Sequence, residues 1–280
     1  MIRIQPFLRA IVVCAWSCAF VVCSGCCPRV SMVDVGPLSA QRALVSMAVA
    51  HRGNLHRGAL PDNSAPALLE AMNAGVPLLE VDVRRSREGE LFLFHDGSIQ
   101  SGNSYAPRDL VGRPAQGLSR RERERVFLDR GRAIPIPTLE DALRLVQASQ
   151  GSSLQLDFKG ESDELVFAAL DLVVQRDMLS RVVVQLRSVE RVQAVKQHYP
   201  GVRISARCRD SVQLKTALER GVEMVELERW VSSEAIRAAH ATNTRVLLNI
   251  AGTRLDEPST WRYLRSRGVD VIMSDYADRH

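Results

Sequence analysis

The chain has 280 residues and 31.1 kDa, with 46% apolar and 5% aromatic residues, an ordinary soluble composition large enough for one α/β-barrel-sized core or two small domains. A formal charge of +5 and a pI near 9.1 do not mark a nucleic-acid binder, because the basic residues are spread through helical segments and nowhere form a run interleaved with aromatics. Only three of the 37 basic residues are lysines, Lys159, Lys196 and Lys215, so the arginine excess reads as coding bias and a lysine at a strand end stands out.

Residues 1–27 are built as an export signal. Arg3 and Arg9 precede an apolar run over 10–22 that is too short to span a bilayer. The run ends Cys23-Ser24-Gly25-Cys26, small residues before a cysteine as in a bacterial lipobox, which would make Cys26 the lipidated first residue of the mature chain. Cys23 stands where a lipobox usually has leucine, so simple cleavage stays open, as does an uncleaved anchor. The expectation is an exported protein of the cell envelope, membrane-associated through that lipid or free in the periplasm, with secretion as the alternative. Five of the six cysteines lie in this segment, leaving Cys208 as a buried small hydrophobe at a strand end and no disulfide framework. Residues 28–44, polar and aperiodic with Pro28 and Pro37, read as a linker.

From residue 45 to 280 the pattern is that of one domain. Short aliphatic runs at 47–50, 78–83, 153–158, 182–186, 202–205, 224–228, 245–250 and 269–273 read as strands. Stretches with apolar residues at helical spacing separate most of them: 64–74, 138–149, 162–178, 188–198, 210–220, 232–242 and 258–267. Continuously apolar strands alternating with helices predict a parallel sheet covered on both faces, and eight of them predict an α/β (β/α)8 TIM barrel. The run at 91–94 follows 83 too closely for a parallel crossover, so it reads as a hairpin return that carries His95 back toward the second strand. Residues 97–134 read as a lid insertion near the active face, with one charged helix around 119–128 and no strand of its own.

Glu80 and Asp82 lie two apart on one strand and so share a face. Two carboxylates that close repel unless a cation or basic partners compensate them, which suits oxygen ligands for a hard divalent ion; a salt-bridged structural pair is the alternative. Asp157 and Lys159 repeat the spacing, giving a third ligand and a lysine for a phosphoryl oxygen or for the ligands themselves. His51 and His95 end apolar runs, and imidazole as a side-chain type suits the acid and base that phosphodiester cleavage needs. Arg52 offers a planar fork to phosphate or an ion pair to Glu80 or Asp82, and Gly53 admits a close backbone approach. His198, His240 and His280 carry no assigned role, nor does His56, whose loop overhangs the same mouth. Glu226 and Glu228 are read either as lining the head-group side or as structural charge pairs.

These segments resemble the glycerophosphodiester phosphodiesterase family. The resemblance rests on His51-Arg52-Gly53, Pro61-Asp62-Asn63-Ser64, Glu80-Val81-Asp82, His95-Asp96 and Pro137-Thr138-Leu139-Glu140, and runs from about 47 to 276. It implies His51 and His95 as the acid–base pair, Glu80, Asp82 and Asp157 as ligands of one divalent ion, Mg2+ or Ca2+, and Arg52 at the phosphate. It also implies a small-molecule glycerophosphodiester substrate, cleaved to sn-glycerol 3-phosphate and an alcohol. Asp157 departs from the family's usual glutamate and reaches about one methylene less, and Leu247-Leu248-Asn249-Ile250 replaces the family's W-T-V-N. A phospholipase C/D-like enzyme of membrane lipids and a catalytically idle phosphodiester-binding lipoprotein are the rival readings.

Overall fold

A computed structural model describes residues 31–32, 47–55, 60–102, 104–129, 131, 133–149, 151–227 and 230–279. The expected export signal with Cys26, nearly all of the linker, His56, Glu228 and His280 lie outside them. Within the linker, Ser31–Met32 pairs in parallel with Trp230–Val231.

Eight parallel strands close on themselves: β1 (Met47–Ala50), β2 (Leu78–Arg85), β3 (Ser153–Phe158), β4 (Val182–Leu186), β5 (Arg203–Cys208), β6 (Met224–Leu227), β7 (Arg245–Asn249) and β8 (Val271–Ser274). Each pairs with the next, and β8 pairs back to β1, so no barrel edge is left open. Among the described residues, seven helices cover the outside of the barrel: α1 (Ala65–Asn73), α2 (Leu139–Ala148), α3 (Asp163–Gln175), α4 (Arg191–His198), α5 (Ser211–Glu219), α6 (Ser233–Ala241) and α7 (Pro258–Ser266). Where an eighth would lie, the chain makes a single 3-10 turn, Ala277–Arg279.

Local chemistry sets the helix starts. Ser64, Ser162, Asp210 and Ser232 each accept a backbone N–H of the first turn, and Thr138 with Asp141 forms a reciprocal capping box. Strand alternation divides the interior in two. On β2, Leu79, Val81 and Val83 face the helices in the large outer core, while Leu78 joins Val49, Val183, Met224, Leu247 and Val271 in an apolar plug inside the barrel. Beyond that plug the inward positions turn polar: Glu80 and Asp82 on β2, Gln155 and Asp157 on β3, Gln185 on β4, Ser205 and Arg207 on β5, Glu226 on β6. The C-terminal mouth therefore carries the chemistry, as barrel geometry favours.

The hairpin is present: Leu91–Leu93 runs antiparallel to the end of β2, with Val83 opposite Leu93. The insertion differs from expectation in one respect. Its helix spans only Arg120–Arg123, and it does hold strands, Phe127–Asp129 paired with Ile134–Pro135. Arginine and glycine dominate this stretch and mask the short pairing. It folds over its own small core of Phe92, Phe94, Ile99, Leu110, Leu118 and Val126. Strand β5 also runs to Cys208, past the expected 205, because charged Arg203 and Arg207 interrupt the apolar signal at inward positions. Cys208 itself is fully buried, as expected.

Candidate active site

The first turn after β1 is a strained one. His51–Gly53 forms a single 3-10 turn in which Arg52 (φ 54°) and Gly53 (φ 66°) both adopt left-handed backbone. The turn aims the Arg52 N–H at Glu80 Oε2, 2.8 Å away, and lets Asn63 donate its N–H to the Arg52 carbonyl at 2.8 Å. A Cβ on Gly53 would fall 2.5 Å from Leu68 Cδ2, on a backbone that side chains avoid. Gly53→Ala is therefore expected to destabilise by more than about 1 kcal/mol, read as a fall in Tm, and to weaken activity by displacing both neighbours.

Glu80, Asp82 and Asp157 are all buried, and one oxygen of each lies within 4.8 Å of the others. Two ligands on opposite sides of one ion at about 2.4 Å show such a span, and an all-carboxylate set suits a hard divalent cation. The donors thus fit Mg2+ or Ca2+. The sheet register explains the cluster: β2 and β3 pair Glu80 with Gln155 and Asp82 with Asp157, so the adjacent strand ends bring the acids together.

Asp82 is the centre of the network. Its Oδ1 takes Lys159 Nζ at 2.7 Å, its Oδ2 takes Asn63 Nδ2 at 2.7 Å, and its own N–H goes to Asn63 Oδ1 at 2.8 Å. Burial would raise its pKa, but Lys159, His95 and Asn63 favour the anion and hold it at about 2. Glu80 goes the other way: burial first, then the Asp82 charge, pushes it well above the usual carboxylate range. Asp157 receives Lys159 Nζ at 2.5 Å and Arg187 Nη2 at 3.0 and 3.1 Å on its two oxygens.

The two histidines are similarly placed. His51 Nδ1 lies 2.8 Å from Asp275 Oδ1, an acid just beyond β8 that also accepts the Gly252 N–H at 2.9 Å. His95 Nδ1 lies 2.8 Å from Asp96 Oδ1. A carboxylate at each Nδ1 orients the ring and leaves Nε2 to the mouth. The hairpin return is pinned by Phe94 N–H to the Asp82 carbonyl (2.9 Å) and by Arg84, which donates to the Phe94 and His95 carbonyls at 2.9 and 2.6 Å. Burial pushes the His95 pKa down, partly countered by Asp82.

A cavity of about 710 Å³ opens beside these groups, bounded by Arg52, Asp62 and His95 and walled by Tyr105, Val111 and Leu128 of the insertion. That is the size of a small-molecule site. The insertion therefore does border the active face.

The sequence model of the Glycerophosphoryl diester phosphodiesterase family matches residues 51–279. The chain belongs to this family. A glycerophosphodiester phosphodiesterase from Bacillus altitudinis is 23% identical over 241 residues, covering 82% of this chain and 94% of that one. Among solved structures, one from Galdieria sulphuraria superposes with a TM-score of 0.72 at 23% identity, over 84% of this chain and 95% of that one. An Oleispira antarctica phosphodiesterase in complex with the product sn-glycerol-3-phosphate does so at 0.69 and 19%, over 83% and 94%.

All seven residues singled out in the sequence, His51, Arg52, Glu80, Asp82, His95, Asp157 and Lys159, converge on the mouth of this phosphodiesterase-family barrel. Arg52 is already engaged, its Nη1 2.9 Å from Asp62 and its Nε 3.7 Å from Asp82, so the ion-pair reading of that arginine holds alongside any contact to phosphate. Glu226 pairs with Arg207 at 3.0 Å and accepts from Gln185 inside the barrel, the structural alternative of the two weighed for it. The His198 ring packs tilted against Phe167, and His240 binds Asp270, away from the mouth. Sequence reasoning passed over Asn63, Arg84, Asp275 and Arg187. Asn63 stands inside the quoted Pro61-Asp62-Asn63-Ser64, and Arg187 repeats the two-residue strand spacing after Gln185.

Proposed function

We propose that the chain hydrolyses glycerophosphodiesters to sn-glycerol 3-phosphate and an alcohol, with one bound divalent cation, Mg2+ or Ca2+. The observation that carries this is the meeting of two carboxylate-oriented imidazoles with a buried three-acid cluster at one barrel mouth, in a chain of this family. Glu80, Asp82 and Asp157 would hold the cation, which supplies Lewis-acid stabilisation of the phosphoryl charge.

The protein's own groups do the rest. Lys159 and Arg52 bring positive charge to the phosphoryl oxygens, and Asn63 keeps Asp82 turned toward the site. His95, with its pKa lowered, is a neutral imidazole at pH 7 that can accept a proton. His51 and His95 together exchange protons with the attacking and departing oxygens. One phosphorus–oxygen bond to the alcohol breaks, a water oxygen joins phosphorus, and the departing alkoxide takes up a proton. The N-terminal charge and apolar pattern supports export, with the barrel working in the cell envelope and tethered by lipid at Cys26.

The test is turnover of a panel of glycerophosphodiesters by the purified barrel domain with Mg2+, Ca2+ or chelator. Release of sn-glycerol 3-phosphate that stops with chelator is expected. Turnover confined to intact lipid vesicles would favour the phospholipase reading, and binding without turnover under every metal would favour an idle binder.

A further inference from the structure

Arg187 sits where none of the sequence motifs pointed. It follows β4, two residues past inward-facing Gln185, and Gln185 pairs in register with Asp157. One nitrogen of its guanidinium straddles the Asp157 carboxylate at 3.0 and 3.1 Å, while Lys159 approaches Oδ2 of the same group at 2.5 Å. Its backbone is held independently of that contact: Glu161 accepts the Arg187 N–H at 2.8 Å and the Ser188 N–H at 3.3 Å, and Arg191 pairs with Glu161 at 2.7 Å. The side chain stays 34% exposed at the mouth, and its buried Nε has no protein acceptor. A guanidinium with spare donors therefore stands beside the acid cluster.

The charges about Asp157 do not balance without a ligand. Glu80, Asp82 and Asp157 supply three negative charges, whereas a divalent cation with Lys159 and Arg187 supplies four positive ones; Arg52, which reaches both Asp82 and Asp62, enters together with Asp62 and leaves that difference unchanged. A phosphodiester monoanion removes the excess of one. A cation and Arg187 also need the same carboxylate oxygens, and a phosphoryl oxygen offers the guanidinium another acceptor with matching planar geometry.

We propose that Arg187 couples the two binding events: it opposes the divalent cation at Asp157, and on substrate binding it transfers its hydrogen bonds to a phosphoryl oxygen. This rests on the metal-dependent phosphodiesterase reading above. Linkage then requires the cation and the phosphate group to tighten one another's binding reciprocally.

Calorimetry on the wild type, R187M and R187K tests this, titrating Mg2+ or Ca2+ with and without sn-glycerol 3-phosphate, with circular dichroism to establish folding. In the wild type, glycerol 3-phosphate is expected to tighten the cation by about 5-fold or more. In R187M the cation alone binds tighter than in the wild type by about the same factor, and the coupling collapses toward one. R187K keeps the charge but loses the fork, so its cation-alone affinity stays near that of the wild type while the coupling shrinks. Unchanged coupling in R187M, or weaker cation binding in it, overturns the role of Arg187 and leaves the phosphodiesterase reading standing. A wild type that binds neither ion overturns both.

Discussion

Replacing either His51 or His95 with alanine is expected to lower kcat by about a hundredfold to ten-thousandfold, the range spanned by loss of a positioned acid or base. The surroundings argue that this loss would be chemical rather than structural. Each ring is only partly buried, and each contributes one Nδ1 contact, to Asp275 or Asp96, whose carboxylates are solvated or otherwise bonded. His51→Ala should therefore melt close to the wild type while turnover collapses. Asp275→Asn separates the two effects further: it preserves shape but removes the carboxylate that orients the His51 ring, so kcat should fall with little change in Tm. Because burial lowers the His95 pKa, its neutral form persists as pH falls through 6.5, and the acid limb of the rate profile should be displaced to lower pH than an unperturbed histidine would give. Full turnover in either alanine variant would sink the mechanism.

The barrel was legible because its strands are short aliphatic runs and its helix starts carry local caps, both visible within a few residues. Glu80, Asp82, Asp157 and Lys159 were legible for the same reason, since a period of two needs no knowledge of tertiary contacts. What stayed hidden depends on distance. His51 and Asp275 are 224 residues apart in the chain, and only closure of β8 onto β1 brings them to 2.8 Å. Asn63 looks like a turn residue, and it is one, with φ at 57°; its amide reaches Asp82 only because the turn at 61–63 lies against β2. Arg187 is one arginine among many by composition, and what distinguishes it is the β3–β4 register that lays it on Asp157. The strand pair in the insertion was missed because Phe127–Asp129 and Ile134–Pro135 are too short to show alternation.

Divalent affinity is expected to rise with pH, and Glu80→Gln is expected to abolish both that dependence and detectable turnover. Glu80 has its pKa raised chiefly by burial and then by Asp82, so the folded protein keeps a proton there above the usual carboxylate range. That stabilisation is present below the unfolded pKa and is lost as pH rises through the folded one. Asp82 has the opposite sign. Held at about 2 against an ordinary 3.8, it contributes about 2 kcal/mol that is present above the unfolded pKa and lost as pH falls through 2. Glu80 is therefore the acid of the three whose anion is disfavoured, and a cation among Glu80, Asp82 and Asp157 must displace its proton wherever that proton is still held. The gain in Tm on adding Mg2+ or Ca2+ should grow as pH rises from the usual carboxylate range, and calorimetry in buffers of different ionisation enthalpy should register proton release. Glu80→Gln supplies a neutral side chain at every pH, so proton release disappears along with a ligand. Asp82→Ala would act differently, stranding Lys159 against Asp157 alone and costing about 3–5 kcal/mol of stability besides activity. Cation binding that is indifferent to pH, or that survives intact in Glu80→Gln, would place the ion away from these acids.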